Sequence, residues 1–279
     1  MTLRTKADIR NLGSRARPFK GAVAVVTLAA LLLLSGCFDP PSSSVVAPPN
    51  KVVAAASVAA PLKVGVMSDK TASAGHTRTP QLAPDDLNPL IELVCQRGGE
   101  LGVGLVTDYS NNSLVRLRVE TPPAPPREPT KEEREGNAFD VAHLMDSYKA
   151  ERAKYEEVKK QRDEEVGRRV EEFRAAVSEL LARKPDARRS DVWGALRRAE
   201  LFLSESDVGW AQPTHRYLLL VSDAQDNAGQ PRLTLKSGAQ LLIVNGSASL
   251  GSIASLNPQP FESPAAAFHH IVAAEGGQQ

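Results

Sequence analysis

Leu62-Lys63-Val64-Gly65-Val66-Met67-Ser68, followed directly by Asp69-Lys70-Thr71-Ala72-Ser73, decides how this chain folds. The first seven residues form a short, largely apolar run, the mark of a strand buried on both faces, and Gly65 leaves room for a close neighbour. A polar string of one carboxylate and two hydroxyls begins where the apolar run stops. The strand is therefore predicted to be central in a sheet and to deliver oxygen-bearing side chains at its carboxyl end.

Further along the chain, Pro84-Asp85-Asp86 predicts a helix start, with proline in the first turn and acids at the positive end of the dipole. Leu87, Leu90, Ile91, Val94 and Cys95 share its apolar face, and Gly98-Gly99 ends it. A second buried strand follows at 101–106. A third run, 114–119, alternates Val115, Leu117 and Val119 with Arg116 and Arg118, so one of its faces is wet. The short polar connection between these two runs cannot make a parallel crossover, which predicts an antiparallel edge strand. Beyond Thr121-Pro122-Pro123-Ala124-Pro125-Pro126, a helical pattern runs over 139–184. A shorter helix is predicted at 190–203, strands at 217–221 and 241–244, and a closing helix at 264–274. The stretch between Asp223 and Gly238 leaves little room for a crossover helix. The expected fold is α/β: a Rossmann-like mixed, mostly parallel sheet with helices on both faces, one domain over 62–279 with a long helical insertion.

Upstream, Arg4, Lys6, Arg10, Arg15, Arg17 and Lys20 precede the apolar stretch Ala22 to Leu34, which ends in Leu34-Ser35-Gly36-Cys37. This segment resembles a bacterial lipoprotein signal. The apolar core is short for a spanning helix, which needs about 20 residues. The resemblance implies that residues 1–36 are removed and that Cys37 becomes the lipidated first residue. It places the body in the cell envelope, outside the cytoplasm, and an uncleaved anchor would put it on the same side. Phe38 is not the aspartate that marks inner-membrane retention in enteric bacteria, which tilts the expectation to the outer membrane. Residues 37–61, rich in proline, serine and alanine, read as an extended tether with a reach of up to about 80 Å.

Removing six of the 34 basic and one of the 33 acidic side chains leaves 28 against 32, a mildly acidic protein of about −4. With no excess of basic charge and only 5% aromatic residues, neither phosphate tracking nor base stacking is indicated, so no nucleic-acid partner is expected. There are two cysteines. If Cys37 carries lipid, Cys95 has no partner within the chain, and thiolate metal sites are excluded as well.

In sheets of this kind ligands bind beyond the carboxyl ends of the strands. Asp69, Thr71 and Ser73 lie there after the first strand, Ser190 and Asp191 precede the shorter helix, and Asp223 ends the 217–221 strand, with Asp226 and Asn227 just beyond. Oxygen ligands without imidazole or thiolate suit a hard divalent cation, Mg²⁺, Ca²⁺ or Mn²⁺.

The element order and these residues resemble a von Willebrand factor A domain with its metal-ion-dependent adhesion site. In that family an Asp-x-Ser-x-Ser motif follows the first strand, a Thr precedes a later helix, and an Asp ends the fourth strand. Asp69, Thr71, Ser73, Ser190 and Asp223 hold those places here. The resemblance implies a non-enzymatic binding module for a protein or other macromolecular partner in the envelope, gated by the cation. The departures are Thr71 for the first serine, Ser190 for the threonine, Ala224 for the usual glycine, and Lys70 inside the motif. Three other readings stay open. Asp69 and Ser190 are also ordinary turn and helix caps; Lys70 is placed to stand in for the ion; and Asp69-Lys70-Thr71 with the acidic 222–227 stretch also resembles haloacid-dehalogenase-like phosphotransferases. In that last reading Asp69 is a nucleophile and Lys184 its supporting cation.

The long helix carries an apolar stripe at both ends, Val141, Met145 and Tyr148 first and Val166, Val170, Phe173, Val177 and Leu180 last, interrupted by Lys159 and Arg162. Both ends are expected to pack while the middle, about 151–165, runs exposed or supports self-association. Charge changes at Lys159 and Arg162 are expected to be nearly neutral. Trp193 and Trp210 read as core, and the scattered histidines define no catalytic set.

Overall fold

The computed structural model describes residues 59–276 apart from 77–78, 111, 185–186, 211, 230–231 and 246–249. The signal segment, Cys37 and the tether before residue 59 lie outside the described residues. Among the described residues no helix is long and apolar enough to cross a membrane.

Six strands form one sheet: β1 (Leu62–Asp69), β2 (Gly99–Val106), β3 (Val115–Val119), β4 (His215–Val221), β5 (Gln240–Val244) and β6 (Gln259–Phe261). Their order is β3-β2-β1-β4-β5-β6, with β3 antiparallel at one edge and every other pairing parallel. The central strand is the one that opened the sequence reading. All eight residues of β1 are buried, as expected of a strand covered on both faces.

Helices cover the two faces. On one lie α2 (Asn88–Arg97), the C-terminal part of α4 (Ala138–Leu181) and α6 (Pro264–Gly276), packed on Val64, Val66, Leu219 and Leu242. The other face, with Met67, Leu218, Leu220 and Ile243, is covered by α5 (Val192–Leu203). Gly65 and Gly102 are paired neighbours in β1 and β2. A Cβ on Gly102 would stand 3.1 Å from the Phe202 ring, so the glycine lets α5 lie close to the sheet.

At the amino ends of the strands the Glu275 carboxylate, 3% exposed, accepts hydrogen bonds from Arg97, from the Tyr217 hydroxyl at 2.7 Å and from His215 Nδ1 at 2.9 Å. This network ties α2, β4 and α6 together. Burial pushes the Glu275 carboxyl up, but the Tyr217 and His215 bonds and the Arg97 charge outweigh it, and its pKa is lowered.

Three details differ from the sequence reading. Pro84–Leu87 is a separate 3-10 turn, and α2 starts only at Asn88. Pro89 has no N–H to give and fits only the first turn of an α-helix. The β6 strand and a 3-10 turn, Gly251–Leu256, were not anticipated. β6 is a three-residue edge strand carrying Pro260, and proline weakens any strand signal.

The third difference concerns α4, which follows the single-turn helix α3 (Lys131–Arg134) and is 44 residues or about 66 Å long. Its buried residues are Val170, Phe173, Val177, Leu180 and Leu181, all in the C-terminal part. The N-terminal stripe is not a second core anchor: Val141, Met145 and Tyr148 are half-buried and Phe139 is exposed. Pro129 of the proline-rich stretch is buried, and the Tyr148 hydroxyl reaches Glu128 at 3.5 Å. The middle, 151–165, is exposed along most of its length, as expected, but Arg162 ties it to the body. Arg162, with a side chain only 15% exposed, donates to Cys95 O at 2.8 Å and to Glu120 O at 2.9 Å. Its long stem crosses the apolar edge while its guanidinium satisfies carbonyls at the ends of α2 and β3, so a charge in the stripe is an anchor. Lys159 behaves as expected, exposed and paired with Asp163 one turn on.

Candidate functional site

The sheet order reverses its direction of winding between β1 and β4, and the crevice beyond their carboxyl ends is where open α/β sheets bind ligands. Asp69 is the last residue of β1, while Ser222 and Asp223 follow β4 directly. Thr71 sits at an isolated bridge to Ala187, which draws the 187–191 segment against β1, and the five-residue helix α1 (Ala72–His76) follows.

The five residues singled out from the sequence meet there. Asp69 Oδ1 accepts from the Thr71 N–H at 2.8 Å and the Thr71 hydroxyl at 2.6 Å. The hydroxyls of Thr71, Ser73 and Ser190 form a triangle, with Thr71–Ser73 at 3.1 Å, Ser73–Ser190 at 3.3 Å and Ser190–Thr71 at 2.9 Å. Asp223 is fully buried and accepts from the Gln225 N–H at 3.0 Å. Its charge acts on Asp69. Asp69, Thr71 and Ser190 are buried as well, and Ser73 is the half-buried member that opens the group to solvent.

Burial, followed by the charge of Asp223, raises the Asp69 pKa, although hydrogen bonds from Ser222 and Thr71 pull it down. The ionised form of Asp69 is thus disfavoured in a buried site that it shares with a second carboxylate. The donor set fits a small hard cation. Neighbouring oxygens of an octahedral Mg²⁺ shell, bound at 2.0–2.1 Å, stand roughly 3 Å apart, and the larger shell of Ca²⁺ separates them by roughly 3.4 Å. The hydroxyl triangle, at 2.9–3.3 Å, spans both spacings. Among the described residues no group of three or more His, Cys, Asp or Glu is placed to hold a metal; the donors here are two carboxylates and three hydroxyls.

The capping reading holds for Asp69, whose carboxylate accepts from the Thr71 N–H two residues on, just before α1, but not for Ser190. Asp191 caps α5, accepting from the Gly194 N–H at 2.9 Å and from the Ser110 N–H at 3.0 Å. Ser190 points its hydroxyl into the triangle instead. Lys70 makes no ion pair or hydrogen bond with Asp69 or Asp223 among the described residues; its side chain lines a neighbouring cavity, and burial lowers its pKa.

Two residues that the sequence placed at this rim turn out to be positioning residues. Ser222 donates to Asp69 Oδ2 at 2.6 Å, fixing the carboxylate from the β4 side. Asn227 clasps Ser190 at both ends of the peptide unit, its side chain accepting from Ser190 N at 2.7 Å and its N–H donating to Ser190 O at 3.1 Å. The signal for Ser222 was its place beside Asp223 at the end of an apolar strand. Asn227 was read at the same rim just beyond Asp223, but its pairing with Ser190 had no signal, because that partner lies in a distant segment. Ala224 adopts φ +62°, a conformation that favours glycine, at the position where the resembled family has one. Trp193 is core, 2% exposed, whereas Trp210 lies under the Arg118 guanidinium.

Around this rim lie two depressions that share a wall formed by Asp108 and Tyr109. One, of about 580 Å³, is lined by Lys70, Leu105, Arg183 and Lys184; the other, of about 380 Å³, by Arg188 and Arg189.

Compared with known proteins, the chain matches no family model, no curated protein and no solved structure. The likeness to the von Willebrand factor A family therefore rests on the residues and their placement alone.

Proposed function

We propose that this chain is a lipid-anchored protein of the bacterial cell envelope whose α/β body is a von Willebrand factor A-like binding module. It holds a partner macromolecule through a divalent cation seated on Thr71, Ser73 and Ser190 and balanced by Asp69 and Asp223. The observation that carries the reading is the triangle of hydroxyls drawn from two distant segments, with spacings of 2.9–3.3 Å, over two buried carboxylates. A bound cation supplies an electrophilic position that an acidic group of the partner completes.

The binding reading is favoured over the phosphotransferase reading by the engagement of Asp69. Three donors from Thr71 and Ser222 occupy both of its oxygens, which suits a fixed ligand support better than an attacking carboxylate. β3 also runs antiparallel, unlike the all-parallel core of that enzyme family.

The test is calorimetric titration of the full chain in detergent with Mg²⁺ and Mn²⁺. Binding is expected in the parent and lost in Asp69→Ala with the circular dichroism spectrum retained. Unchanged binding in Asp69→Ala sinks the site assignment, and phosphate release from small phosphomonoesters that disappears in Asp69→Asn sinks the non-enzymatic reading. For the anchor, Cys37→Ser is expected to leave the precursor unprocessed and unlabelled by palmitate; normal labelling would refute it.

A further inference from the structure

Most arginines of the described body are committed to partners. Arg97 meets Glu275, Arg116 meets Glu205, Arg118 meets Glu100, Arg168 and Arg169 meet Glu165, and Arg216 meets Asp207. The rim beside the hydroxyl triangle is different. Lys70, Arg183, Lys184, Arg188 and Arg189 line its two depressions, and among the described residues none of the five side chains has an ion-pair partner. The last four are exposed. Among the described residues that line the two depressions Asp108 is the one carboxylate, and it accepts from the Arg189 main-chain N–H. On a chain with nearly balanced charge, five cations against one carboxylate in the lining of two adjoining depressions are a local field that attracts anions and guides their approach.

The lining is not uniformly charged. Leu105 and Ala187 contribute apolar surface to the larger depression, and Tyr109, 76% exposed, stands as a ridge between the two. Such a tyrosine offers a rigid, amphipathic contact of the kind that anchors polypeptides. An evenly charged polyanion would have no use for the apolar wall and would meet Asp108 as a repulsive neighbour.

We propose that the partner surface is an acidic polypeptide segment with interspersed apolar side chains, which lies across the Asp108–Tyr109 ridge with carboxylates in both basic depressions. This rests on the binding reading above and extends it: one acid of the segment completes the cation site at Ser73, and the flanking acids are held by Arg183 and Lys184 on one side and by Arg188 and Arg189 on the other.

The experiment uses the full chain in detergent and, as probe, a fluorescein-labelled peptide of alternating glutamate and leucine, read by anisotropy. Binding is expected in Mg²⁺, weakening steeply as salt is raised. The double variants Arg183→Glu/Lys184→Glu and Arg188→Glu/Arg189→Glu are each expected to weaken it about tenfold or more. Because these side chains are exposed and, among the described residues, unpaired, both variants keep the parent melting temperature and do not lose calorimetric Mg²⁺ binding, while Tyr109→Ala weakens the peptide alone. Peptide affinity unchanged in both double variants overturns the inference. So does preferential binding of a sulfated polysaccharide or of phosphatidylglycerol vesicles, either of which would assign the rim to another class of partner. Peptide binding that depends on the rim but persists in chelator upholds the acidic-partner assignment and removes the cation from the proposed function, so the two readings fail separately.

Discussion

Ser222 Oγ donates to Asp69 Oδ2 at 2.6 Å and so joins the ends of β4 and β1 at the point where the sheet reverses its winding. This bond steadies a carboxylate that its surroundings disfavour. Burial first, and the Asp223 charge second, raise the Asp69 pKa above its unfolded value. The folded state then binds a proton more readily than the unfolded one between those two values. In chelator, the Asp69 contribution therefore falls as pH rises through that window and is unfavourable above it. Asp69→Asn is expected to raise the neutral-pH melting temperature in chelator and to abolish stabilisation by Mg²⁺. Ser222→Ala is expected to cost about 1 to 2 kcal/mol. Urea melts from acid to neutral pH, with and without Mg²⁺, check both; a parent indifferent to the cation would count against the site.

Glu275 has the opposite sign and can be followed in the same melts. Its folded pKa is lowered, so its stabilisation is fully present above the unfolded carboxylate value and is lost as pH falls through the folded one. Removing one partner of a buried ion pair costs about 3 to 5 kcal/mol, and Glu275→Gln is expected at the lower end because Tyr217 keeps an acceptor. A loss below about 1 kcal/mol would show that the network with Arg97 and His215 is dispensable.

Ala224, 1% exposed at φ +62°, sets two effects against each other. Glycine would relieve a left-handed strain of roughly 1 to 2 kcal/mol. It would also give up a buried methyl, worth about 0.8 kcal/mol, and add unfolded-chain entropy. Ala224→Gly is thus expected to stay within about 1 kcal/mol of the parent. Ala224→Val is expected to destabilise by about 2 kcal/mol or more, because a branched side chain is disfavoured in that conformation and overpacks the site. Chemical denaturation of the pair checks this, and a tolerated valine would argue that the turn relaxes.

Along α4, Phe173→Ala is expected to cost about 3 kcal/mol through lost core packing. Arg162→Ala is expected to cost about 1 to 2 kcal/mol, because carbonyls of Cys95 and Glu120 lose their donor. Charge changes at exposed Lys159 should be silent. In hydrogen exchange, protection should be strongest from Val170 to Leu181 and weaker toward Ala138; uniform protection of the whole helix would mean that its N-terminal part is covered by something else, such as a second copy.

Five of the six strands were legible because burial on two faces needs continuous apolar runs, as in Leu62–Ser68 and Tyr217–Val221, and because the wet face of 114–119 forces alternation. The candidate ligands were legible for a related reason, since polar oxygens placed directly after such runs must fall at the carboxyl rim. What remained hidden depended on pairs far apart in sequence. Nothing in residue 227 says that it will clasp residue 190, nor in Arg162 that carbonyls at the ends of α2 and β3 will come within its reach. A sequence period records which face of an element avoids water, and so it determined the layers and the rim of this protein. The tertiary structure decided which long polar side chains are anchors and which are left free, because hydrogen-bond partners are set by where the packed layers bring backbone groups, and that placement leaves no periodic trace in the chain.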